Sequence, residues 1–464
     1  MRLVYMCMFM LAVNHLTAGV KVKNGSQKFS GNKDDKCFCK LKGEVDDCSC
    51  KVETIDSVNN QKIYPRLKSL VSRDYFRYFK VNLAKECPFW SDDSRCALKD
   101  CHVDTCAEHE VPPALKTNGN GNGKENKYTE KAQEVHSCAE ERELSALDTT
   151  ISDESKEAFK NWTEHDESQD LFCDIDDENS SGLEYVDLSL NPERYTGYKG
   201  ASPHRIWRTI YEENCFKPQS KYGYGPNSKL AKKPYEDMCL EKRAFYRMVS
   251  GLHTSINVHL CAEYLFPSIG YGDSQWGPNL EEFKQRFDPQ TSDGEGPQRL
   301  KNLYFAYLVE LRALAKAAPY LLEEEFFTGN DEEDKETKQG VADLLTVIKS
   351  FNDHFDESKL FAGEPTEARK LKEEFRMHFR NISRIMDCVG CDKCRLWGKL
   401  QIQGMGTALK ILFSGDTIGP QSTVNASSKR NFQLTRSEIV SLFNAFGRLS
   451  TSIHTLEVFR KKLQ

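Results

Sequence analysis

The stretch CVGCDKC (388–394) sets Cys388, Cys391 and Cys394 at two consecutive two-residue gaps. Cysteines so spaced can ligate a metal or an iron–sulfur cluster, brace a fold, or work as a redox dithiol. The run begins like a ferredoxin motif, but Arg395-Leu396-Trp397 follow Cys394 where a fourth cysteine and its proline belong. Zinc would need a fourth ligand, with His378 the nearest candidate, and no metal is expected. A CxxC dithiol at a helix start has a mechanism of its own. The helix dipole favours thiolate, and Lys393 and Arg395 add positive charge. Spacing alone leaves three structural cysteines as the alternative.

A second cluster, CPFWSDDSRCALKDCHVDTC (87–106), supplies Cys87, Cys96, Cys101 and Cys106 in an acidic, helix-poor segment, and Cys138 follows. A bridge on a mobile loop is open to another protein's thiolate, whereas a buried bridge is inert. One rigid and one mobile pair suggest a relay from outside to inside, and a relay needs a final electron acceptor. A third group, CFCKLKGEVDDCSC (37–50), brackets a Gly-containing turn and suits a small hairpin. Nested bridges Cys37–Cys50 and Cys39–Cys48 would close it, with a four-cysteine zinc site as the disfavoured rival.

The compartment decides how these cysteines read. Arg2, the apolar run Leu3–Val13 and the small residues Thr17, Ala18 and Gly19 have the layout of a secretory signal peptide over 1–19. Leu16 sits where that pattern prefers a small residue. No later run approaches the ~20 apolar residues of a membrane helix, so the mature chain reads as soluble. Sixteen of the 17 cysteines remain without Cys7, and in an oxidising lumen an even set implies bridges. Sequons at Asn24, Asn161, Asn179, Asn381 and Asn425 agree with that routing. A formal charge of −6 carries no nucleic-acid signature.

The elements that must position the cysteines are helical. Leu303, Tyr304, Tyr307, Leu308, Leu311 and Leu314 form one stripe. Leu371, Phe375, Phe379, Ile382, Ile385 and Met386 form another that leads into the cysteine triplet. Tyr246, Val249, Leu252, Ile256 and Leu260 predict a helix over about 238–265. Thr435 and Glu438 make a capping box ahead of Ile439, Leu442, Phe443, Phe446 and Leu449. Residues 20–464 read as a single, mainly α domain with a mobile cysteine-rich loop over about 87–140 and an acidic loop over about 323–340. GMGTAL (404–409) lacks the surroundings of a dinucleotide fingerprint and reads as close helix packing. DIDDENSSG (174–182) lacks the glycine of a calcium loop and reads as acidic surface.

Several blocks together resemble one family. CVGCDKCRLWGKLQIQGMGTALKILF (388–413), NPERYTGYKG (191–200), IYEENCFKP (210–218), SGLHTSINVHL (250–260) and GEGPQRLKNLYFAYLVELRAL (294–314) are similar to blocks of the endoplasmic reticulum oxidoreductins, in matching order. That resemblance implies a single, mostly helical domain holding FAD in a four-helix core. It implies flavin contacts at Arg194, Thr196, Trp207, Ser250 and His253, with Arg286 and Arg299 on the cofactor's anionic middle. Without the family, His253 reads as a core histidine, and the two arginines as surface residues.

The resemblance also resolves the cysteines. Cys391 and Cys394 become the inner redox pair, with Cys394 nearer the flavin, and Cys96 and Cys101 the shuttle disulfide. Cys87–Cys388 and Cys215–Cys239 become structural bridges. Cys96–Cys138 and Cys101–Cys106 become resting, regulatory pairs, as in animal members. The implied activity is oxidation of reduced protein disulfide isomerase in the endoplasmic reticulum lumen, with dioxygen accepting the electrons to give hydrogen peroxide. A monomer is expected, soluble or peripherally attached to the lumenal side of the membrane. Cys261 and Cys173 have no assigned partner, and KKLQ is no retrieval signal. The rival reading is a non-enzymatic, disulfide-braced secreted binding protein, which would hold no flavin.

Overall fold

A computed structural model describes residues 37–90, 96, 99–116, 172, 182–216, 238–266, 275–351, 355–413 and 434–464. The expected leader, Cys138, Cys173, the DIDDENSSG loop apart from Gly182, and the sequons at Asn24, Asn161, Asn179 and Asn425 lie outside them. The principal helices are α1 (Tyr64–Val71), α2 (Ala201–Glu213), α3 (Leu240–Ala262), α4 (Leu280–Phe287), α5 (Gly296–Glu323), α6 (Asp331–Lys349), α7 (Pro365–Ile385), α8 (Asp392–Phe413) and α9 (Arg436–Leu463). Strands are few: β1 (Tyr78–Val81) pairs antiparallel with β2 (Glu184–Asp187), and β3 (Tyr264–Phe266) with β4 (Gln275–Gly277). The mainly α expectation is borne out.

Local chemistry sets the helix ends. The Thr435 hydroxyl accepts from the Glu438 N–H at 3.2 Å, and the Glu438 carboxylate accepts from the Thr435 N–H at 2.8 Å. This reciprocal cap starts α9. The acidic run over 323–340 is not a long loop. Asn330 caps α6 by accepting from the N–H groups of Glu332 and Glu333, and Asp331 to Asp334 fill the first turn. Negative charge there complements the helix dipole, so the acidic residues stabilise a helix start.

Helices α3, α5, α8 and α9 pack together as the core. Two glycines allow close approach. A Cβ on Gly251 would collide with the Asn302 carbonyl and Ala306 of α5, and one on Gly404 with Ala445 and the Ser441 carbonyl of α9. The GMGTAL segment is therefore a helix crossing. α5 is buried on every side, not along one stripe: Phe305, Ala306, Val309 and Glu310 are as enclosed as Leu303 and Leu311. Neither carboxylate oxygen of Glu310 has a hydrogen-bond partner, and burial pushes its pKa well above the carboxylate range.

At the N-terminal end Glu44 bridges antiparallel to Lys51, and the Val45 N–H donates to the Cys50 carbonyl at 2.9 Å. The chain does double back there, but the nested bridges are not made. Instead the sulfurs of Cys37 and Cys39 lie 2.9 Å apart, and no bridge joins Cys39 to Cys48 or Cys37 to Cys50.

Candidate active site

The cysteine triplet straddles the start of α8. The Cys391 carbonyl accepts from the Arg395 N–H at 2.8 Å, and its sulfur accepts from the Cys394 N–H at 3.3 Å. Cys391 thus caps α8 with sulfur in the place usually taken by a serine or threonine oxygen. Cys394 lies one turn inside. Burial, the largest influence, works against a thiolate on Cys391. The Cys394 thiol, the Thr196 hydroxyl and the Cys394 N–H outweigh it and hold its pKa below an ordinary thiol's. Cys394 is pushed well up, first by its hydrogen bond to Cys391 and then by burial. The pair is asymmetric, with Cys391 the more acidic thiol.

Arg395 is engaged away from the sulfurs. The Arg395 guanidinium donates to the carbonyls of Val389, Leu83 and Lys85, holding the chain after β1 against the triplet. Cys388 is bridged to Cys87, 301 residues away, with a Cα–Cα distance of 4.4 Å.

Cys96 and Cys101 are bridged to each other, and their sulfurs and that of Cys391 all lie within 4.8 Å of one another. Backbone contacts dock this disulfide. The Cys96 N–H donates to the Gly390 carbonyl at 3.0 Å, and the Asp104 N–H donates to Asn191 Oδ1 at 2.8 Å. Asn191 in turn accepts the Trp397 Nε1–H of α8 on its carbonyl at 2.7 Å. Thr196 sits at the junction. Its hydroxyl is 3.4 Å from the sulfurs of both Cys391 and Cys394, and its carbonyl is 3.7 and 3.5 Å from those of Cys96 and Cys101.

The Cys96–Cys101 bridge is present in place of the resting pairs, and Cys106 is unbridged. Its N–H donates to the Tyr185 carbonyl on β2 at 2.8 Å. Cys215 and Cys239 are not joined to each other; Cys215 is buried and Cys239 is exposed at the start of α3. Cys261 is wholly enclosed on α3, and burial pushes its thiol up to about 12. Asn381 is buried, and its side-chain amide donates to Asn214 Oδ1 at 2.9 Å.

The residues expected to hold a cofactor fall into two groups. Five gather around α3. The Trp207 ring stacks on His253 at 3.5 Å between centroids, and Arg286 donates to Asn257, one turn farther along α3. Ser250 accepts from Asn302 at 3.0 Å, and Arg299 lies one turn before Asn302 on α5. Arg286 pairs with Glu282 at 2.6 Å and Arg299 with Glu295 at 2.5 Å, both through half-exposed side chains. Thr196 lies at the sulfurs. Arg194, two residues earlier, holds its guanidinium 5.0 Å from the Trp276 ring centre, with its Nε buried and unpartnered. Arg194, His259, Trp397 and Arg448 line a cavity of about 310 Å³.

Sequence reasoning left Asn191, Tyr198 and Gly390 without a role. Tyr198 accepts on its hydroxyl from the Gly390 N–H at 3.1 Å, fixing the turn that carries Cys391. Asn191 and Tyr198 belong to the NPERYTGYKG block, which was their one signal.

A disulfide docked on a sulfur-capped CxxC helix start defines a thiol–disulfide oxidoreductase. A family model described as Endoplasmic Reticulum Oxidoreductin 1 matches residues 62–456. ERO1-like protein alpha of Mus musculus is 52% identical over 453 residues, covering 96% of each chain. Ero1-like protein of Drosophila melanogaster is 52% identical over 446 residues, covering 91% of this chain and 90% of its own. A cysteine-to-alanine double mutant of S. cerevisiae Ero1p superposes with a TM-score of 0.55 at 32% identity, covering 89% of this chain and 97% of that one. The chain belongs to the Endoplasmic Reticulum Oxidoreductin 1 family, and is an oxidoreductase. The binding-protein reading falls away. Among the described residues no helix is long and apolar enough to cross a membrane.

Proposed function

We propose that the protein is an FAD-dependent thiol oxidase of the endoplasmic reticulum lumen that reoxidises protein disulfide isomerase. The observation that carries this reading is the approach of the Cys96, Cys101 and Cys391 sulfurs within 4.8 Å. Cys101 is buried and Cys96 partly exposed, so an incoming thiolate meets Cys96 and releases the Cys101 thiolate. That thiolate attacks Cys391 of an oxidised inner pair and releases the Cys394 thiolate. The second thiolate of the incoming isomerase resolves its mixed disulfide and frees the Cys96 thiolate. Cys96 then attacks Cys101 of the Cys101–Cys391 bridge, releases the Cys391 thiolate, restores the shuttle and leaves two electrons on Cys391 and Cys394. The lowered pKa of Cys391 makes it a good leaving thiolate in the last step.

The residues around α3 suit the cofactor. Arg286 and Arg299 pair with half-exposed carboxylates, contacts worth about 0–1 kcal/mol that a pyrophosphate can replace, and Arg286 also donates to Asn257. The buried Nε of Arg194, which has no hydrogen-bond partner, is a spare donor. Trp207 and His253 present stacked rings for an adenine, and Ser250 a hydroxyl. When bound, FAD supplies a two-electron acceptor that dioxygen reoxidises with release of hydrogen peroxide. Regulation would work by re-pairing Cys96 with Cys138 and Cys101 with Cys106, and Cys138→Ala should raise thiol oxidation.

The test is an absorption spectrum and an oxygen-uptake assay on the purified chain with reduced protein disulfide isomerase. The reading requires a flavin band, and uptake abolished by Cys394→Ala but retained by Cys261→Ala. A colourless protein with intact bridges refutes it.

A further inference from the structure

We propose that opening of the Cys96–Cys101 bridge creates a binding site for a thiophilic divalent cation of the zinc class, with Cys96, Cys101 and Cys391 as thiolate ligands. The inference rests on the reading of Cys96–Cys101 as a disulfide that is reduced in turnover. Tetrahedral zinc holds thiolates at about 2.3 Å, which places them about 3.8 Å from one another. The three sulfurs already lie inside 4.8 Å with two of them covalently joined. Breaking that bond moves Cys96 and Cys101 apart toward the tetrahedral spacing, and their Cα atoms, 6.0 Å apart, leave room for it.

None of the three positions depends on the disulfide alone. Cys391 is fixed as the cap of α8, Cys96 by its N–H on the Gly390 carbonyl, and the segment after Cys101 by Asp104 on Asn191. Three thiolates around a dication carry one net negative charge, and the N-terminal end of α8 faces it. The fourth position opens on the Cys96 side, where the site is least buried. The ligand set crosses between two motifs, so neither CxxCxxC nor the 87–106 cluster shows it by spacing.

Binding replaces three S–H protons with one cation and transfers no electrons. It occupies the thiolates that must attack to close either bridge, so the cation holds the relay in its reduced state. The oxidised enzyme offers one thiol at most and should bind nothing there. Inhibition by zinc would therefore grow with turnover.

The experiment uses full-length protein reduced with a phosphine and desalted without air. Alkylation and mass spectrometry verify that Cys96, Cys101 and Cys391 are free. Zn²⁺ is then titrated by calorimetry, with Co²⁺ as the spectroscopic probe. We expect about one equivalent with tetrahedral cobalt–thiolate bands, and none on the air-oxidised protein. Cys96→Ser and Cys391→Ser should each weaken binding by about tenfold or more, while Cys48→Ser and Cys394→Ser retain it. Equal binding in the Cys96→Ser protein, or loss in the Cys48→Ser protein alone, overturns the proposal by placing the metal elsewhere. No binding with all three thiols verified free overturns it as well. Failure of the relay is read separately, as a Cys96–Cys101 bridge that the reduced isomerase leaves closed.

Discussion

Among the described residues Thr196 reaches the sulfurs of Cys96, Cys101, Cys391 and Cys394, by its hydroxyl on one side and its carbonyl on the other. Its hydroxyl is among the groups that hold Cys391 below an ordinary thiol's pKa, against the larger effect of burial. Thr196→Val removes the hydroxyl and keeps the shape. The thiolate should then form only at higher pH, with a midpoint for Cys391 alkylation raised by up to about one unit. The alkylation rate, read across pH by mass spectrometry, checks this, and an unmoved midpoint would assign the thiolate to the helix cap alone. Composition and spacing could not have found this role. Threonine is an ordinary loop residue, its partners lie far away in the chain, and the family resemblance marked it for a cofactor instead. Proximity in sequence misled in the opposite direction at Arg395, whose long side chain points to carbonyls.

The helices were legible where apolar residues repeat at three and four, as in α3, α5, α7 and α9. The capping box at Thr435 was legible too, because its two partners, Thr435 and Glu438, lie three positions apart in the sequence. The acidic run before α6 was not, because a helix start and a solvated loop both favour carboxylates. α5 shows a further limit: periodicity marks one face, while packing by α3, α8 and α9 encloses the rest. Glu310 is the consequence. Its folded pKa is raised, so its contribution is fully present below the unfolded value near 4.3 and is lost as pH rises toward the folded one. Glu310→Gln should abolish that slope and stabilise the protein by about 1–3 kcal/mol at neutral pH. Thermal unfolding between about pH 5 and about pH 8 measures it. Gly404→Ala acts oppositely. The added methyl meets the Ser441 backbone and Ala445, so α8 and α9 must separate at a cost of about 1–3 kcal/mol. A denaturant midpoint unchanged by Gly404→Ala would show that this crossing has slack.

At the scale of the whole molecule, Cys37–Gln464 form one compact unit, and the Cys87–Cys388 bridge closes a loop of 301 residues within it. Cross-linking over that distance constrains the unfolded chain by up to about 5 kcal/mol. Replacing both cysteines by alanine should lower the unfolding midpoint by an amount within that bound, read by chemical denaturation of the purified protein. The same bridge orders events on the ribosome. Synthesis proceeds at about 5–20 residues per second, so Cys87 waits on the order of tens of seconds for its partner to be made. Cys96 and Cys101 wait with it, because Gly390 and Cys391 emerge only then. A nascent chain that stops before Gly390 and Cys391 therefore lacks the backbone and the sulfur against which the Cys96–Cys101 bridge docks. The three-sulfur cluster is completed only late in synthesis.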